Sequence, residues 1–339
     1  MSTKDWNAGI IRPVPVAPAG PYQDGAASGV WTLDQVAYWS KQGLWPVAGN
    51  AAPIGLFGGG YAPLQNVIQK IQIASAGDST DFGDLVGNVY RLASCSSSTR
   101  GVWAGGSDSV SAAQNIIQYV TISTTGNASD FGDLLGVAIG CAGCSSSTRG
   151  IIAGGTSPDS NVIQYITIAT TGNATDFGDL TVTRYYLGAC SSTTRGVFAN
   201  GFFPFLNVID YITIATTGNA TDFGDTTNGS YGCSGASNST RGVLALGSTG
   251  SHSNIINYIT IATTGNATDF GDLTLARSET GACASSTRAV FAGGGASSPA
   301  YPNIIDYVTI ATTGDATDFG DLIGKNQGIA GCSNAHGGL

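Results

Sequence analysis

The tetrapeptide Asp-Phe-Gly-Asp occurs six times, beginning at Asp81, Asp130, Asp176, Asp222, Asp269 and Asp318. Asp-Phe-Gly positions magnesium in protein kinases, but that chemistry also needs a Gly-rich loop, a strand lysine and a His-Arg-Asp loop, and none accompanies these copies. Strings such as Asp315, Asp318 and Asp321 offer carboxylates to calcium. Calcium takes six to eight oxygens, so the expectation is that no metal is bound. The plainer expectation is that Phe82, Phe131, Phe177, Phe223, Phe270 and Phe319 pack between repeats, with the flanking Asp side chains satisfying backbone donors in a turn.

Other reactive residue types follow the same period. Five cysteines (Cys95, Cys144, Cys190, Cys283, Cys332) fall 14 residues after the first Asp of each tetrapeptide, and Ala236 takes the sixth place. A position that accepts Cys or Ala is a small apolar slot. Cys141 and Cys144 have CxxC spacing but lack a second pair, so packing is expected in place of zinc. Arg100, Arg149, Arg195, Arg241 and Arg288 occupy one turn of the repeat, with Gly337 aligned in the sixth. A ring of Arg on one face either bonds the neighbouring turn's Asp or carbonyls or binds an anion on the axis. The two histidines, His252 and His336, lie at different repeat positions, so a Ser-His-Asp arrangement has little to work with. We expect no catalytic residue and no cofactor.

The elements that carry these residues repeat at steps of 49, 46, 46, 47 and 49 residues. A near-constant step marks one supersecondary unit used six times. In the third copy, Gly-Cys-Ser-Ser-Ser-Thr-Arg-Gly (143–150) leads into Ile-Ile-Ala-Gly-Gly (151–155), then Asn161 to Thr170, then Thr171 to Leu180. Short β-branched and aromatic runs separated by Gly, Asn and Asp read as three or four antiparallel strands. Both alternating faces of 161–170 are apolar (Val162, Ile166 and Ile168; Ile163, Tyr165 and Ala169), as expected of a sheet covered on both sides. The first copy lacks the Gly-x-Cys-Ser strand that opens the others, and that strand reappears at 328–335. A last strand that completes the first sheet closes a ring and removes two open edges.

The segment Gly-Ala-Cys-x-Ser-Ser-Thr-Arg-x-Val-Phe-Ala-Gly-Gly (281–294), followed by Asn-Ile-Ile-Asp-Tyr (303–307) and Phe319, resembles the kelch repeat, with Phe in place of the usual Trp. The resemblance covers about 54–339 and implies an all-β, six-bladed kelch-like β-propeller closed by the C-terminal strand. The expected organisation is a 1–53 arm, an extended Pro-rich segment plus one short helix at about 32–43, and a 54–339 propeller.

Composition limits the partners. The chain has 339 residues, 50 of them Gly, 42% hydrophobic and 10% charged, with net charge −9. Such a chain is expected to be ordered. Without a Lys/Arg stripe no nucleic acid is expected, and no apolar run of 18 residues suggests membrane insertion. The first residues lack the apolar core of a signal peptide, so synthesis in a cytoplasm is expected.

Two connections vary between copies, one after the Gly-Gly strand and one after Asp-Phe-Gly-Asp-Leu. In a four-stranded antiparallel blade both emerge on one face, whose candidate binding residues are Tyr61, Tyr90, Arg91, Arg184, Tyr185, Tyr186, Phe202, Phe203, Phe205 and Tyr301. Aromatics with Arg are typical of contact surfaces. In the arm, Trp31, Leu33, Val36, Trp39 and Trp45 form an apolar anchor. The Gly-Val-Trp…Gly-x-Trp-Pro segment (29–46) resembles an element of tail and fibre-like proteins of tailed phages. It implies a virion protein whose arm contacts other virion proteins while the propeller faces a host-surface glycan or protein. A free cytoplasmic kelch-type interaction module and a glycan-binding lectin are the alternatives.

Overall fold

The computed structural model describes residues 5–6, 9–10, 34–35, 52–108, 112–202 and 204–339. The chain divides into two units, Met1–Ala52 and Pro53–Leu339. In the first, Asp5–Trp6 pairs antiparallel with Gly9–Ile10, and Asp34 and Gln35 are helical. The anchor residues Trp31, Leu33, Val36, Trp39 and Trp45 lie outside the described residues.

The second unit is a six-bladed β-propeller of four-stranded antiparallel sheets. Blade III is typical, with strands Ala142–Ser145, Arg149–Ala153, Val162–Thr167 and Thr175–Asp179 running from the axis outward. Blade I takes its innermost strand, Ala330–Ser333, from the far end of the sequence, paired with Ile54–Gly58 in the register Ala330↔Gly58 to Ser333↔Gly55. The ring closes as the sequence implies.

The core lies between blades, because each middle strand is apolar on both sides. Ile151 and Phe177 of blade III share a buried cluster with Phe198 and Ile212 of blade IV. Ile152 and Ile166, on the opposite side of the same sheet, join Val102 and Phe131 of blade II. The tetrapeptide makes this possible through a β-bulge. Ile163 pairs with Gly178 and Gln164 with Asp176, leaving Phe177 unpaired and turned into the core. Tyr165 meets it edge-on, with ring centroids 6.1 Å apart.

The same tetrapeptide forms the seam. The turn glycines Gly77, Gly126, Gly172, Gly218, Gly265 and Gly314 each donate N–H to the Phe carbonyl one blade back, at 2.7–2.9 Å. Beside each, an Asn or Asp side chain (Asn127, Asn173, Asn219, Asn266, Asp315, Asp78) accepts the N–H of the tetrapeptide's second Asp at 3.0–3.1 Å. This corrects the expected roles. The turn's own Asx caps the bulge, while the first Asp of each copy points to solvent. Gly178, at φ +144°, must be glycine, since a Cβ there would stand 2.5 Å from the Gly218 carbonyl.

The Arg column is structural. From Nη1, Arg100, Arg149, Arg195, Arg241 and Arg288 donate to Ile168, Ile214, Ile261, Ile310 and Ile73 carbonyls one blade on, at 2.8–3.1 Å. Each guanidinium lies 4.3–4.5 Å from a Tyr ring of its own sheet. The sixth place belongs to Ile54 and not to Gly337, because Ile54 opposes Gln72 as Arg149 opposes Thr167. Blade I also replaces the Tyr by Lys70, so stacking and donation are lost together.

All seven cysteines are free and buried. Burial pushes the thiols of Cys95, Cys190 and Cys233 up to about 12 and that of Cys141 to about 11, so they stay protonated. The slot they fill is matched across blades. A Cβ on Gly150 would come 2.6 Å from Cys95 Sγ, and one on Gly242 equally close to Cys190 Sγ. Where the cysteine becomes Ala236, the facing glycine becomes Ala289, and both sit in one cluster.

Candidate binding face

The two variable connections of each blade are held side by side. Tyr90 bridges to Ser107, Ile139 to Thr156, Tyr185 to Phe202, Tyr231 to Ser248 and Tyr61 to Gln327, while Arg277–Ser278 pairs with Gly295–Ala296 in blade VI. The variable connections therefore share one end of the ring.

At its centre, six equivalent residues ring the axis: Arg91, Gly140, Tyr186, Gly232, Glu279 and Gly328. All are left-handed, with φ between 55° and 67°. Each donates N–H to the carbonyl of the one before, from Arg91 N to Gly328 O (2.7 Å) round to Gly328 N to Glu279 O (3.0 Å). The circle has no end. Three large side chains alternate with three glycines because each large one covers its neighbour's place. A Cβ at Gly140 would strike the Tyr186 ring, one at Gly232 would crowd Glu279, and one at Gly328 would lie 3.1 Å from Arg91 Cγ. The left-handed backbone costs about 1–3 kcal/mol at a non-glycine residue, so Arg91, Tyr186 and Glu279 hold positions where glycine would be cheaper.

These three side chains form one unit. Arg91 donates from Nε and Nη2 to the two Glu279 carboxylate oxygens at 2.9 and 2.8 Å. Its guanidinium lies 4.7 Å from the Tyr186 ring and 5.2 Å from Tyr90. Burial works against the Arg91 charge, yet the bidentate carboxylate overrides it and raises the pKa. Burial also pushes the Tyr186 hydroxyl up to about 12, against the pull of Arg91. Beneath lies a pit walled by Leu92, Cys141, Leu187, Cys233, Thr280 and Ile329.

Aromatic side chains extend from this mouth on both sides. Tyr61 contacts Tyr90 (5.4 Å) and Tyr301 (6.3 Å). Opposite, Tyr185 contacts Tyr186 (5.0 Å) and Phe202 (5.4 Å), while Phe205 stacks on Tyr231 at 5.6 Å. Tyr61 is 46% exposed and Phe205 43%. Tyr90, Arg91, Tyr185, Tyr186, Phe202 and Tyr301 are half-buried, and Phe203 lies outside the described residues. Tyr231 and Glu279 were missed. Their signal was positional, since they occupy the repeat columns of Tyr90 and Arg91.

Arg184 is a correction: its side chain is fully buried, not part of the exposed surface. It pairs with the equally buried Asp210 at 2.9 Å and donates to Phe198 O and Val208 O. Arg277 pairs with Asp306 in the same way in blade VI. Burial lowers both Arg pKa values, and the partner carboxylates oppose it. The other blades hold Gln69, Gln118, Gln164 or Asn257 in the Asp column, and Asn326, Val89, Ala138 or Ser230 in the Arg column. Each member of the Asp column accepts a backbone N–H at the shoulder of the loop face. Arg appears only where the acceptor is charged.

The opposite end of the axis is built by a different device. Ser96, Ser145, Ser191 and Ser237 each donate Oγ–H to the equivalent carbonyl one blade back, and Ser333 donates to Ala284 O, at 2.6–2.8 Å. Ala284 has no hydroxyl to give to Ser237 O, and Gly337 N–H fills that place at 2.9 Å. The segment after Ser333 thus seats on the axis. His336 Nδ1 accepts from Gly338 N–H (3.0 Å), so Nε2 carries the proton and donates to Ser96 O (3.1 Å). His252 is remote, with Nδ1 3.2 Å from Ser278 Oγ on the loop side.

No protein-family model matches the chain, and no curated protein matches it. The six-bladed propeller and the chemistry of its loop face therefore carry the functional reading.

Proposed function

We propose that the chain is a non-enzymatic binding module whose loop face engages a macromolecular partner, and that it serves as a tailed-phage virion component of tail or fibre type. The observation that carries the binding reading is the cluster of partly exposed aromatic rings on the one face where the copies differ, with Phe205 and Tyr61 each more than 40% exposed. Aromatic rings left in water beside a rigid scaffold favour partner contact. Support for the virion reading comes from the Trp-rich arm, which docks on other particle proteins in this scheme, and from the low-charge repeated body. A free interaction module is the second reading, favoured by the ring forming a unit of its own at Pro53–Leu339.

Mass spectrometry of purified particles, from a culture that makes the chain, is expected to recover it with the particles. Recovery only in the particle-free supernatant would overturn the virion reading and favour the free module.

A further inference from the structure

We infer that the aromatic row crossing the loop face is a track for one linear, uncharged glycan chain that runs over the axial mouth. The inference rests on the reading of this face as a binding face and gives that face a ligand class.

The row is continuous. From blades VI, I and II, Tyr301, Tyr61 and Tyr90 follow one another at 6.3 and 5.4 Å. The Arg91 guanidinium spans the mouth, contacting Tyr90 and Tyr186. Beyond it, Tyr185, Phe202 and Phe205 continue at 5.0, 5.4 and 5.6 Å, and Tyr231 packs against the last two.

The fold does not require these rings. The column holding Tyr90, Tyr185 and Tyr231 contains Ile139, Ser278 and Gln327 in the other three copies, and all six make the same backbone bridge between the variable connections. Three tyrosines in bridging positions that tolerate Ile, Ser and Gln are explained by what lies outside the chain.

The row is also neutral. Its one formal charge, Arg91, is held by both oxygens of Glu279, and the whole chain carries −9. Among the described residues Lys325 is an exposed cation beside the Tyr61 side of the row, two residues from the Gln327 that bridges Tyr61, and the net charge repels a polyanion at long range. A pyranose presents polarised C–H groups on one face and hydroxyls at its rim. The first suits the negative face of an aromatic ring, and the second suits tyrosine hydroxyls and the planar Arg–Glu pair. The row is a single file through Tyr301, Tyr61 and Tyr90 and widens beyond Arg91, where Tyr231 also packs against Tyr186, Phe202 and Phe205. An elongated strip of this kind fits a chain-like ligand, whereas a folded partner needs a broad apolar centre with a polar rim. An extended Pro-rich peptide also uses aromatic tracks, so it is the competing outcome.

Calorimetric titration of the full chain with neutral linear hexasaccharides (cellohexaose, xylohexaose, maltohexaose, chitohexaose), hexagalacturonate and a Pro-rich decapeptide tests this. At least one neutral hexasaccharide is expected to bind. Phe205→Ala and Tyr61→Ala, on opposite sides of the mouth, should each weaken it roughly tenfold without moving the thermal midpoint, and Phe205→Trp should retain it. Hexagalacturonate should bind only Glu279→Gln, in which Arg91 is released. Binding of the decapeptide alone, lost in Phe205→Ala, overturns the glycan inference and leaves the binding face standing. Hexasaccharide binding that neither Ala substitution changes also overturns it. If no ligand of either class binds, the inference falls and the binding face loses its support with it.

Discussion

The turn face and the loop face of this ring solve the same problem in opposite ways. On the turn face, the outer seam of every blade is one backbone device, the bulged Asp-Phe-Gly-Asp strand under a Gly-Asx turn, and nearly identical residues recur there in all six copies. On the loop face and in the walls below it, copies differ, but in matched pairs: Arg with Asp, Ala with Ala, large side chain beside glycine. Contacts made by backbone leave the sequence no freedom. Contacts made by side chains permit change whenever both partners change together.

The sharpest break of that comparison is expected at Arg184. Arg184→Ala leaves the buried Asp210 unpaired and should cost about 3–5 kcal/mol in urea unfolding. Adding Asp210→Gln converts the site to the Ala138–Gln164 arrangement of blade III and should recover most of the loss. A double variant no more stable than the single one would show that the two columns are independent.

Next is Gly178→Ala on the turn face, expected to cost about 3 kcal/mol from the strained φ and the clash with Gly218. Its partner is backbone, so no second substitution should rescue it. A change below about 0.5 kcal/mol would mean that the seam yields more readily than its geometry implies.

A smaller effect is expected between blades V and VI. Ala236→Cys places a thiol against Ala289 and should cost about 1–2 kcal/mol, relieved by Ala289→Gly, which restores the Cys–Gly pairing of the other walls. Thermal midpoints of the two variants would decide it.

A further, pH-dependent effect concerns the axial segment. Burial lowers the His336 pKa from 6.5 to about 4. Between those values the unfolded chain takes up a proton that the folded chain refuses, so stability should fall as pH drops through this window and be insensitive to this group above it. His336→Gln should flatten that part of the urea-midpoint profile between pH 7 and 4.5. Parallel profiles for variant and parent would remove the histidine from the account.

Much of the ring was legible because a repeat writes its architecture in columns. The six tetrapeptides, the Cys/Ala slot and the displaced strand at 328–335 encode blade number, packing and closure. The faces were legible too, since antiparallel order decides which connections share an end. Arg184 was misread because it sits in a variable connection between Thr183 and Tyr185, and exposure was inferred from neighbours. Its own column told otherwise: Arg occurs there only in the two copies whose third strand carries Asp instead of Gln or Asn. The mouth was half seen. The sequence places Arg91 and Tyr186 on one face with the other loop aromatics, and Glu279 stands out only by its column. Their meeting depends on ring closure, which brings residues 188 positions apart into one ion pair. The turn-side role of the Asx residues was missed for a similar reason, because their partner is a backbone N–H in another blade.

The alternation of large and small at the axial mouth carries an arithmetic consequence. A circle in which every large residue leans over a glycine can close only if its members are even in number. Removing or inserting one blade would set two large side chains, or two glycines, next to each other, either crowding the mouth or leaving a gap in it. A chain of this kind can therefore grow or shrink without remaking its mouth only by gaining or losing blades in pairs.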